Sequence, residues 1–198
     1  LRDRSVEEAK DKDGVYTELW NLSKDIIERS LQINNFLNLL DLPESEWSGK
    51  TIINDVYLIE KRASGACRRN GDIILKSNSE TKTIIHEHLH TRSFLNEPKN
   101  LREYFKLEEG TVEYLAEEIC ENQGIAYNPT YKSYVGKLRE ICEITGQKDE
   151  YDFAKKIFEI PLSERYNYLD ELRNNYLREH PKLSKEKRRK LNAAVDGL

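Results

Sequence analysis

Gly71-Asp72-Ile73-Ile74-Leu75-Lys76-Ser77-Asn78-Ser79-Glu80-Thr81-Lys82-Thr83-Ile84-Ile85-His86-Glu87-His88-Leu89-His90 is the stretch that decides the fold. Its opening is apolar at the centre and bounded by Gly and a polar turn, which predicts a short strand. Ser77-x-x-Glu80 then reads as a helix start in which each side chain satisfies a free backbone N–H. The helix it opens is expected to be amphipathic, with Ile84, Ile85 and Leu89 burying its back. It also carries three histidines. His86 and His90 are four apart, about 400° of rotation, so their imidazoles leave one face a turn apart. In that geometry two histidines can bind one Zn²⁺, and the glutamate after the first is placed to act on metal-bound water. His88 points about 200° away from both, which predicts a packed or partly exposed histidine rather than a ligand.

Working outward, Val15 to about Leu40 repeats apolar residues at helical spacing until Pro43 closes the run, and the charged residues 1–14 read as a linker or frayed helix. Thr51 to Ile59, rich in β-branched and aromatic residues, predicts a strand. A helix is expected from near Glu108 to Asn122, with Val112, Leu115, Ala116 and Ile119 as its stripe and Gly124 as its stop. Asn128-Pro129 starts another that ends at Gly146. More follow around 150–159, 163–178 and 184–195, punctuated by Pro161 and Pro181. The class is α+β with helix dominant: a small mixed sheet followed by a mostly helical C-terminal part. The expected organisation is a domain over 15–180, preceded by the 1–14 segment and followed by a basic helix or tail over 181–198.

Composition bounds the function. Lys+Arg 32 against Asp+Glu 36 gives a formal charge of −4, too balanced for a protein built around nucleic acid. No apolar run reaches the roughly 18–20 residues of a membrane span. Leu1-Arg2-Asp3-Arg4 is not a signal peptide. Cys67, Cys120 and Cys142 are an odd, widely spaced set, expected to be reduced core thiols. The chain starts at Leu and has no methionine, so it is expected to belong to a longer polypeptide. The basic residues from Lys182 to Lys190 lack interleaved aromatics and read as a solvated terminal helix.

The class of metal site turns on a third ligand. A metzincin would need Gly and His where this chain has Ser93 and Asn96. A glutamate from a second helix is the alternative, and eighteen residues separate His90 from Glu109. His-Glu-x-x-His, that spacing, then Glu-Gly-x-x-x-Tyr resembles the gluzincin peptidases, especially those with aminopeptidase-N-like spacing; thermolysin-like enzymes have one residue more. Lys106-Leu107-Glu108-Glu109-Gly110-Thr111-Val112-Glu113-Tyr114 is similar to their Leu-Asn-Glu-Gly-Phe-Ala-Glu-Tyr segment, with Glu108 where Asn usually stands. Gly65-Ala66-Cys67 through Leu75 is similar to small zincin domains of bacterial and phage proteins.

The resemblance spans Gly71 to Tyr114 and implies a zincin-like fold with an edge strand over the metal helix. It implies one zinc per chain on His86, His90 and Glu109, with Glu87 as general base. It also implies that Glu113 holds a ligand histidine, expected to be His86, through its other ring nitrogen. The oxyanion donor of the related families falls near Tyr166 and Tyr168. Glu108, Glu117 and Glu118 are expected at the surface, and Arg92 at a helix end. Ile73–Leu75 is taken as the edge strand to which a peptide substrate adds. The implied activity is a zinc metallopeptidase, cytoplasmic and bacterial or phage-encoded. The alternative is a zincin-like binding or assembly module of a larger protein, with zinc kept and little catalysis.

Overall fold

A computed structural model describes residues 24–93 and 101–198, the side chains of 101–103 excepted. The chain divides into two compact units: residues up to Ser93 with Ile119–Asn128, and Leu101–Glu118 with Pro129–Leu198. Among the described residues no helix is long and apolar enough to cross a membrane.

The first unit starts with α1 (Ile26–Leu37), whose N-cap Asp25 accepts from the backbone N–H of Ile27 and Glu28. Ile26, Ile33, Phe36 and Leu37 bury its apolar stripe. The expected extension of this helix back to Val15 lies outside the described residues, as does the 1–14 segment. Strand β1 covers Thr51–Ile53 only. The predicted strand to Ile59 is cut short because Asn54 caps a helix instead, its side chain accepting from Tyr57 N, and α2 runs Asp55–Lys61. Strands β2 (Gly65–Cys67) and β3 (Ile73–Leu75) follow.

The sheet order is β1-β3-β2, with β1 parallel and β2 antiparallel to β3. β3 is therefore the central strand, not the edge. Its unbroken Ile-Ile-Leu is what burial on both faces demands, and all three residues are fully buried. The edge beside the next helix is β2, which carries no β-branched residue and so gave little signal as a strand.

That next helix, α3 (Thr81–Ser93), packs on β2, β3 and α1. The anticipated Ser77–Glu80 capping pair does not form. Ser77 gives its N–H and hydroxyl to Asp55, and Ser79 accepts from Lys76 N. Nor is α3 amphipathic, because every residue from Ile84 to Arg92 is buried. His88 meets this demand by pairing Nε2 with Ser30 Oγ at 2.8 Å, and Ser30 in turn pairs with Thr51. Burial, with the Arg92 charge adding, pushes its imidazole down to about 3.

Among the described residues the regular elements of the second unit are all helices: α4 (Leu101–Asn122, its last turn in the first unit), α5 (Lys132–Thr145), α6 (Glu150–Glu159), α7 (Leu162–Glu179) and α8 (Lys185–Asp196). Gly146 ends α5 in the left-handed region, and Asp149 and Ser184 cap α6 and α8. The basic α8 buries Leu191, Ala194 and Val195 and packs on α5 and α7.

Glu108, Glu117 and Glu118, expected at the surface, are buried. The physical reason is that α4 is enclosed over most of its length, so its acids take arginine partners. Arg139 pairs with Glu117 and Glu118, while Arg165, 1% exposed, holds Glu108 at 2.6 Å and also donates to the carbonyls of Phe158 and Ile160. Of the cysteines, Cys120 and Cys142 are core thiols as expected, but Cys67 is only half-buried on β2.

Two outcomes follow from these buried groups. Arg165→Met strips the guanidinium from a buried carboxylate and should cost about 3–5 kcal/mol in urea unfolding, much of it recovered by adding Glu108→Leu. His88 has a folded pKa of about 3 against an ordinary 6.5. Unfolded chains therefore bind its proton first, and its contribution is complete above pH about 6.5 and lost as pH falls toward 3. In metal-free protein the stability gap between wild type and His88→Gln should narrow over that window. A gap constant from pH 7 to 4 would show that His88 is not held neutral.

Candidate metal centre

Helix α3 delivers the two histidines as its spacing requires. His86 and His90 are both buried, with Nε2 atoms 3.1 Å apart and rings edge-to-face at 4.7 Å between centroids. Two nitrogens bound to one tetrahedral zinc at ~2.0–2.1 Å would stand about 3.3 Å apart, so the pair already has the separation of a chelate. Among the described residues, His86, His90 and Glu109 form a group whose candidate ligand atoms all lie within 4.8 Å of one another. Glu109 is half-buried where the histidines are buried. Two imidazoles and one carboxylate suit a divalent metal that retains an open position.

Glu87 is buried next to His86 in sequence, and its carboxyl lies against β2. A Cβ placed on Gly65 would stand 2.6 Å from Glu87 Oε1, 2.8 Å from Cγ and 2.9 Å from Cδ. The edge strand therefore fits over Glu87 only because its first residue has no side chain. Sequence reading grouped Gly65 with a zincin-like segment and gave it no role in the site. A glycine opening a three-residue strand was its one signal.

His88 lies outside the metal group and faces Ser30 and Trp47. Arg92 does not serve as a surface charge. It donates to the carbonyl of Pro43 and to the side chains of Asn34 and Asn38, and burial lowers its pKa to about 10, which leaves it charged.

In the second unit, Glu113 stands one helical turn after Glu109 and is fully buried. Its Oε1 accepts from Thr130 N at 2.8 Å and from the Thr130 hydroxyl. Thr130, which no motif marks, thus fixes the carboxylate from the loop before α5. Gly110 accepts α5 at close range, since a Cβ there would be 2.8 Å from Tyr134 Cβ. Tyr114, the last residue of the recognised segment, is buried and donates to Glu150 at 3.2 Å, and burial raises its phenol pKa. Tyr166 and Tyr168 follow the buried Arg165 on α7. Tyr166 is 39% exposed, and Tyr168 is half-buried with the Lys156 ammonium 5.4 Å from its ring centre.

No protein-family model matches this chain, and neither do curated proteins or solved structures. The resemblance to gluzincins rests on the residues themselves.

The contact at Gly65 makes a specific demand. Gly65→Ala should leave metal content at the wild-type level, because the three atoms nearest the added Cβ all belong to Glu87, whose carboxyl it forces aside. If Glu87 acts chemically, turnover should fall at least about tenfold, since a misplaced group loses much of its catalytic advantage. Full turnover in a folded, metal-replete Gly65→Ala protein would remove Glu87 from the chemistry.

Proposed function

We propose that the chain is a zinc-dependent metallopeptidase of gluzincin type with a zincin-like fold. In this reading His86, His90 and Glu109 hold one zinc ion and Glu87 is the general base. The observation that carries it is the convergence of those three ligand atoms within 4.8 Å, with a buried carboxyl following the first histidine. A bound zinc would supply Lewis acidity, polarising the scissile carbonyl and drawing the pKa of water toward roughly 7.

The chain's own groups carry the protons. Glu87 takes one from the attacking water and passes it to the amine nitrogen that departs. Gly65 leaves room for that carboxyl against the edge strand. Glu113, clamped by Thr130, fits the part of a carboxylate that orients a ligand histidine. Tyr166 and Tyr168 are the candidates for the oxyanion donor, and Tyr→Phe at each distinguishes them. The substrate is a peptide or protein, and the setting is bacterial or phage-encoded and cytoplasmic. A purely structural zinc would have no use for a carboxylate at position 87, which favours catalysis over a binding module.

Metal analysis of protein purified without chelator should give about one zinc per chain, and chelation should abolish cleavage of a proteome-derived peptide library. Glu87→Gln should keep the zinc and lose at least about 10²-fold in turnover. Tight zinc with no cleavage in the wild type would favour the binding module. Full activity in Glu87→Gln would sink the mechanism.

A further inference from the structure

We propose that the end of α7, the turn after it and the first turns of α8 form a binding surface for single-stranded nucleic acid, held by its phosphates and stacked on His180. Residues 178–190 carry seven Lys or Arg and two Glu, a local charge of +5 in a chain whose net charge is −4. The balance of the whole chain thus hides one strongly basic segment. Lys182, Lys185, Lys187, Arg189 and Lys190 are all exposed. Among the described residues a single carboxylate pairs with the segment's cations, Glu186 with Lys190 at 3.6 Å. Arg139, Arg165 and Arg173 of the same unit behave differently, each holding a carboxylate of another helix.

The segment is built into the fold. Leu191, Ala194 and Val195 bury the second half of α8, and Ser184 caps its start by accepting from Lys187 N at 3.2 Å. The turn is closed by Leu183 N donating to His180 O, so its cations are ordered before any ligand arrives. Their placement works against the helix that carries them. The N-terminal end of a helix bears partial positive charge and favours acids, while cations belong at the far end. Helix α8 reverses this, with five Lys or Arg among its first six residues and none in its last turn. Lys185 neighbours Arg188 and Arg189 at three- and four-residue spacing, and Lys187 neighbours Lys190, so like charges repel. The third residue after a Ser cap is ordinarily Glu or Gln, which reaches back to the cap N–H, and here it is Lys187. A merely solvated face would be more stable with acids at these positions. Retained cations suit a polyanion.

Two rings identify which polyanion. Tyr176 and His180 stack with centroids 4.1 Å apart at 24°, and His180 Nδ1 donates to Tyr176 O at 3.0 Å. The pair lies just before Lys182, outside the window in which the sequence lacks aromatics. His180 is exposed, two residues from Lys182 and five from Lys185. An unpaired base extends such a stack while neighbouring cations take its phosphates, which is how single strands are held. Carboxylates of an acidic peptide make no use of the rings. A lipid surface calls for apolar side chains that enter it beside the cations. Among the described residues from 176 to 198 no large apolar side chain is exposed.

The test is fluorescence anisotropy of the full chain with a labelled mixed-sequence single strand, as DNA and as RNA, and with the corresponding duplex. Poly-glutamate and phosphatidylserine vesicles serve as competitors. Micromolar binding of at least one single strand is expected at about 50 mM salt, weakening roughly 10- to 100-fold by about 200 mM. Lys185→Glu combined with Lys187→Glu should lose at least about tenfold in affinity. Its thermal midpoint should hold or rise, because both changes put acids at the N-terminal end of α8 and the second completes the cap. His180→Ala should weaken the single strand by roughly tenfold and leave the duplex nearly unchanged, since only an unpaired base can stack. No saturable binding by wild type at low salt overturns the proposal, as does unchanged affinity in the double variant or in His180→Ala. Competition by poly-glutamate or vesicles equal to that of unlabelled single strand overturns it as well.

Discussion

Helix α3 buries seven polar side chains, Lys82, His86, Glu87, His88, His90, Thr91 and Arg92, and much of the first unit is arranged to satisfy them. Each would cost several kcal/mol if taken from water without a partner. Lys82 donates to Asn128 O, His88 pairs with Ser30, Thr91 with Ser45 and the carbonyl of His88, and Arg92 with Pro43, Asn34 and Asn38. These bonds fix α1, the segment before β1 and the loop after α4 on the same helix. The two metal-capable histidines are thereby held on a helix with little freedom to rotate. Preorganised ligands of this kind are what metal sites need, since ordering them at the moment of binding would oppose affinity.

The second unit meets the same constraint by ionic means. A helix enclosed over most of its length carries Glu108, Glu109, Glu113, Glu117 and Glu118, and its neighbours supply Arg165, Thr130 and Arg139. Breaking such a pair is costly because it abandons a buried charge, even where the pair itself adds little net stability. Through Arg165, α7 is tied to α4 at Glu108, the residue preceding Glu109.

The long-period features were legible. Helix boundaries from α5 to α8 fall within a few residues of those expected from Pro129, Gly146, Pro161 and Pro181, because caps and breakers act locally. The four-residue spacing of His86 and His90 is likewise a local property of one helix, and it became a 3.1 Å nitrogen pair. What depends on tertiary neighbours was not legible. Val56 and Ile59 look like strand residues but are exposed on α2, because Asn54 and Asp55 start a helix there. β3 is central and not the edge because Gly65-Ala66-Cys67, a segment of low strand propensity, pairs with Leu75, Ile74 and Ile73. A helical glutamate gives no hint of whether an arginine fifty-seven residues away will reach it.

Two glycines show how a site can be marked by what is missing. Gly65 and Gly110 both sit where ordinary residues would fit the secondary structure better, one in a strand and one inside a helix, at roughly 0.5–1 kcal/mol relative to alanine. Neither needs a positive φ, so conformational freedom does not explain them. Close approach does: the first admits Glu87 to within 2.6 Å of where its Cβ would be, and the second admits Tyr134 to within 2.8 Å. One adjoins the candidate base and the other follows the candidate ligand directly. A small local loss at each position thus gains placement of a neighbouring group, which is the trade expected where geometry, rather than stability, is what a residue supplies.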